Sequence, residues 1–139
     1  MSFKQLFGST TQAADGKPTR VYETLAVGTH RSPPWRMGKE DQGFVGLEID
    51  TSDGSLMIAS AFTLQRSSIP QELGGLAHPT EAAVHWHDVP AAEATLTLPN
   101  ADGHETMYEW SLSAAAMYRL EIVVSTEGNI WAAATPGGG

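Results

Sequence analysis

Apolar and polar residues alternate with a period of two over most of this chain, the pattern of a strand with one buried face. Val45, Leu47 and Ile49 share one face, as do Ala94, Leu96 and Leu98 against Thr95 and Thr97. Tyr108, Trp110 and Leu112 alternate with Glu109, and Tyr118, Leu120, Ile122 and Val124 with Arg119 and Glu121. Arg20 to Gly28 is the first expected strand. Three pairs of segments follow, each split by turn residues. Phe44–Asp50 and Ser55–Leu64 flank Asp53-Gly54, Glu93–Leu98 and His104–Leu112 flank Asp102-Gly103, and Met117–Ser125 and Ile130–Thr135 flank Gly128-Asn129. Asp-Gly and Gly-Asn favour positive φ, so all three pairs are predicted to be hairpins.

Helical signals are few. Phe3, Leu6 and Phe7 have the spacing of one amphipathic turn. Ser68 to Leu73 carries a capping pattern and stops at Gly74-Gly75, and Ser113 to Met117 could add another turn. Residues 80–89 are ambiguous. Thr80 and Glu81 resemble a helix start ended by Pro90, whereas a strand would place Val84, Trp86 and Asp88 on one face and His85 and His87 on the other. The strand is preferred, with Trp86 turned inward.

These elements predict an all-β fold of seven to eight strands with one or two short helical turns. The antiparallel β-sandwich is the first choice and a small closed β-barrel the alternative. The 139 residues read as one domain with a polar N-terminal arm over 1–19 and a flexible tail over 136–139. Leu56 to Phe62 is apolar on both faces, as in a strand covered on both sides or one covered by a neighbouring subunit.

Composition narrows the function classes. The absence of cysteine excludes disulfides and thiolate chemistry. Neither a signal peptide nor a membrane-spanning run is apparent, so a cytoplasmic or particle-associated protein is expected. The net charge of −8 is one-sided: residues 72–139 hold nine acids and the single base Arg119. Such a surface disfavours nucleic acid, which needs clustered Lys and Arg. It suits a basic partner or solubility.

Candidate chemistry is sparse. His85 and His87 are weak candidates for a shared metal site. With Glu93 they resemble the metal motif of the cupins over about ten residues, but Pro90 interrupts, and the family's glycine spacing and second histidine block are missing. No cofactor is assigned. Asp50 and Asp53 read as turn acids rather than calcium ligands. If the protein is an enzyme or carrier, His104, Tyr108 and Trp110 on one strand face could bind a small apolar molecule and move a proton, with His85, His87, Asp88 and Glu93 as further ionisable groups. Arg31, Trp35, Arg36 and Lys39 form the one basic and aromatic patch, an interaction candidate on a Pro33-Pro34 loop. Trp35 could equally fold back over the core.

No nucleophile elbow, phosphate-cradling loop or zinc-protease signature is present. The expectation is therefore a non-catalytic structural or interaction protein, a subunit of a homo- or hetero-oligomer such as a particle component or an acidic partner-blocking protein. The alternative is a small β-barrel enzyme or carrier.

Overall fold

A computed structural model describes residues 4–36, 44–68, 85–112 and 116–136. The chain is an antiparallel β-sandwich of two open sheets; the closed barrel is not formed. Strands are numbered in chain order. The first sheet holds β1 (Lys4–Phe7), β4 (Glu23–Leu25), β7 (Phe44–Asp50), β10 (Glu105–Ser111) and β12 (Gly128–Pro136). The second holds β5 (Gly28–Arg31), β6 (Trp35–Arg36), β8 (Ile58–Ser68), β9 (His87–Asp88) and β11 (Ala116–Thr126). A separate hairpin joins β2 (Ser9–Gln12) to β3 (Pro18–Val21).

The two sheets follow one plan. In the first, β1 and β4 share one edge of β12, β7 lies on its other side, and β10 is outermost. In the second, β5 and β6 share one edge of β11, β8 lies on its other side, and β9 is outermost. Among the described residues twelve strand segments replace the seven or eight expected, because the edges are interrupted and the N-terminal arm adds β2 and β3. Pro33-Pro34 separates β5 from β6, where the chain needs no ladder donors. Gly8, at φ 75°, turns the chain from β1 into β2.

Two of the three expected hairpins are instead crossings between sheets, and the third lacks its first strand. β7 and β8 lie in different sheets, as do β11 and β12. Residues 94–98 form no strand beside β10. The turns themselves are real: Gly54 and Gly103 have φ of 71° and 68°. A tight reversal carries the same residues whether the chain returns beside itself or arches to the facing sheet.

The core lies between the inner faces. Leu47, Ile49, Leu64, Leu120, Ile122 and Ile130 are among its buried side chains, as alternation predicts. Tyr118 is fully buried and meets Trp35, with ring centroids 6.1 Å apart. Segment 89–99 carries Val89 and Ala94 into this core, while Leu98 is left exposed, so the expected common face of Ala94, Leu96 and Leu98 does not hold.

Two N-terminal expectations are corrected. Lys4–Phe7 is a strand, not a helical turn, and a register shift between Gln5 and Phe7 lets the adjacent Leu6 and Phe7 both turn inward. That bulge imitates helical spacing. Much of the polar arm is the β2–β3 hairpin, whose turn is held by Ala13 N to Lys17 O at 2.9 Å and Lys17 N to Asp15 Oδ1 at 3.0 Å. No helix occurs among the described residues; the turn expected at 68–73 lies largely outside them, as do residues 113–115 and the tail at 137–139.

Candidate functional site

The edge strand β10 gathers most of the residues on which a function can be built. Its inner row is Thr106, Tyr108 and Trp110, and its outer row Glu105, Met107 and Glu109. Tyr108 and Trp110 stack with centroids 5.2 Å apart and planes at 16°, half-buried at the open side of the sandwich. The Tyr108 hydroxyl accepts a hydrogen bond from Thr97 N at 3.0 Å. His104 precedes the strand, and its backbone exchanges hydrogen bonds with Thr51 (Thr51 N to His104 O at 2.8 Å, His104 N to Thr51 Oγ1 at 3.2 Å). Its Nε2 is buried without a hydrogen-bond partner. A cavity of about 10 Å³ opens between Ile49, Thr51, Thr97, His104 and Tyr108. That is roughly the least space that admits one water. The structure thus brings His104 and Tyr108 to one small void of mixed lining and places Trp110 beyond it.

The outer row is open to solvent: Met107 is 53% exposed, and Glu105 and Glu109 are exposed beside it. Met107 lies opposite Glu48, and its Cε lies beside Gly46, which pairs with Glu109. On its far side β10 pairs with no strand among the described residues.

One end of this outer face is fastened by a network that the sequence reading did not find. Arg20 of β3 bonds to Asp50 Oδ2 at 2.7 Å and to the carboxylates of Glu48 and Glu105, and its guanidinium lies 4.4 Å from the Trp131 ring centroid. Trp131 Nε1 donates to Ser9 O at 2.9 Å, which holds β2 as well. Asp50 uses one oxygen for its turn, accepting Ser52 N at 2.9 Å and Ser52 Oγ at 2.6 Å. The other oxygen takes Arg20 and the Tyr22 hydroxyl. Burial opposes the Asp50 charge, but hydrogen bonds from Ser52, Tyr22 and Arg20 outweigh it and hold the carboxyl at about 2. Burial and the Asp50 carboxylate together push the Tyr22 hydroxyl up to about 12. The only local hint was Asp50 before Ser52-Asp53-Gly54, and it was correctly read as turn chemistry; the ion network needs partners 30 and 55 residues away in sequence.

The outer face of the second sheet holds Arg119, buried although it alternates with core residues. Its side chain accepts the Trp86 ring at 4.3 Å and donates from Nε to Gln65 Oε1 at 2.8 Å; Gln65 in turn donates to Asp88 at 3.0 Å. Burial is the main cause that lowers the Arg119 pKa, followed by repulsion from Arg31. Trp86 therefore covers the outside of the sheet rather than entering the core as expected. Its partner is a charged residue that periodicity marks as solvent-facing. Trp86→Ala is expected to cost about 1–2 kcal/mol through lost cation–π contact and uncovering of Arg119, read by urea denaturation, with Trp86→Phe recovering part of it.

His85 and His87 are both exposed, with His87 in the two-residue β9, so the helical alternative does not hold for 85–89; residues 80–84, with the expected cap Thr80, lie outside the described residues. No group of three His, Asp or Glu side chains is placed to hold a metal among the described residues. The patch around Trp35 is divided. Trp35 is 4% exposed and belongs to the core, Arg31 is exposed and bonds Glu121 at 2.9 Å, Arg36 is in β6, and Lys39 lies outside the described residues. Glu93 pairs with Arg66 at 2.9 Å at the surface.

Comparison with known proteins found no family model that matches the chain and no significant match among curated proteins. No helix among the described residues is long and apolar enough to cross a membrane.

Proposed function

We propose that this chain is a non-catalytic structural or interaction protein that works as a subunit of a homo- or hetero-oligomeric assembly, either as a particle component or as an acidic protein that occupies a partner. The observation that carries this reading is the β10 edge. A seven-residue outermost strand presents an exposed methionine between two exposed glutamates, on a frame clamped by Arg20. Edge strands invite pairing by another chain because half of their ladder groups lack a partner. The decisive experiment is native mass spectrometry of the full chain purified from its source. A defined multimer or hetero-complex is expected. A monodisperse monomer without partner across micromolar concentrations would overturn the reading.

A second reading, an enzyme or carrier for a small molecule, draws support from the unpartnered His104 Nε2 beside Tyr108. A monomer carrying a small adduct that His104→Ala removes would favour it. No cofactor is proposed in either case.

A further inference from the structure

We propose that the β10 edge takes a basic extended segment of a partner protein, added as a further antiparallel strand to the first sheet. This inference rests on the contact function proposed above and specifies its partner.

The outer row of β10 reads acid, apolar, acid at Glu105, Met107 and Glu109. Directly opposite side chains on neighbouring strands interact most strongly, and like charges there repel. The matching strand therefore carries base, apolar residue, base at alternate positions. The charge of the surroundings points the same way. Glu48 and Asp50 stand one strand further in, so four carboxylates share this outer face with Arg20. Arg20 engages Glu48, Asp50 and Glu105, whereas Glu109 makes no ion pair among the described residues. A cation opposite Glu109 would meet little competition, since the neighbour of Glu109 on β7 is Gly46.

The same row argues against a second copy of this chain as the occupant. Two β10 strands paired antiparallel with Met107 opposite Met107 put Glu105 opposite Glu109 on both sides, and self-pairing then sets four carboxylates against one another. The glutamates thus protect the edge from its own kind and leave it open to a basic strand, a discrimination made by repulsion as much as by attraction.

The test uses the full chain and a synthetic peptide, acetyl-Thr-Lys-Thr-Ile-Thr-Lys-Thr-amide, followed by amide NMR. Binding is expected to shift and protect the amides of residues 105–111. Replacing both peptide lysines by glutamate, or Glu109 by lysine in the protein, is expected to weaken binding roughly tenfold or more. N-methylation of alternate peptide amides, which leaves the protein untouched, is expected to abolish it if the methyls face the edge. Absence of binding at millimolar peptide, shifts centred elsewhere, or binding that is indifferent to Glu109→Lys and to both N-methylation frames would overturn the proposal. A native complex that survives Glu109→Lys would sink this edge while leaving the contact function standing. A chain that forms no complex at all would sink the function itself.

Discussion

Arg20→Ala is expected to destabilise the fold by about 3 kcal/mol, measured by urea denaturation at pH 7. The side chain of Asp50 is 3% exposed, so removing its guanidinium partner leaves a carboxylate away from water. Breaking one side of a buried ion pair costs roughly 3–5 kcal/mol. The lower end applies here, because Ser52 and Tyr22 still donate to Asp50. Arg20 also lies over Trp131, and that ring anchors β2 through Ser9 O. Loss of Arg20 is therefore expected to free the β2–β3 hairpin first, visible as faster amide exchange over 9–21 than in the core strands. Equal acceleration everywhere would show that the hairpin is not held by this network.

The network also sets an acid limit. The Asp50 carboxyl titrates at about 2 in the folded protein, against an ordinary value of 3.8. A depressed folded pKa contributes stability that is present above pH 4 and lost as the pH falls toward 2. The contribution is on the order of 2 kcal/mol. In Asp50→Asn that component of the acid limb is expected to disappear. At the other end, Tyr22 titrates near 12 rather than 10, so its contribution is present below pH 10 and is lost between 10 and 12.

Gly128→Ala is expected to cost about 3 kcal/mol or more and to lower the yield of folded protein. A Cβ there would fall 2.4 Å from Met57 N and 2.6 Å from Leu56 C and Met57 Cα. All three are backbone atoms, so rotamer changes give no relief. Neither chain is free to withdraw: Asn129 N donates to Ser55 O at 2.7 Å, Gly128 pairs with Leu25, and Met57 is fully buried. Gly46→Ala is the matched control. Its Cβ would meet nothing nearer than 3.4 Å, the end of the Met107 side chain, and is expected to change stability by less than about 1 kcal/mol. Equal effects at the two glycines would refute the close-approach explanation.

Gly128 also shows where local reading stopped. Within Gly128-Asn129 it looked like a turn glycine, yet its φ is not positive, unlike those of Gly54 and Gly103. It is glycine because the chain entering β8 crosses over it. Trp86 and Arg119 repeat the lesson: alternation placed Trp86 inside and Arg119 in solvent, whereas the two cover each other on an outer face. Tyr108 and Trp110 were legible as neighbours on one strand face, but that His104 precedes the strand and that the nearby void admits only about a water was not.

By itself the sequence determined the all-β class, the positions of the reversals, and the inward faces of β7, β10 and β11. Each of these follows from contacts within a few residues: side chains alternate along an extended backbone, and glycine accepts positive φ. The tertiary structure alone decided that β7 and β8, and likewise β11 and β12, belong to opposite sheets, and that Arg20 meets Asp50 and Glu105. Alternation specifies which side of a strand is apolar. It carries no information about which strand lies alongside, because that choice depends on packing between segments tens of residues apart.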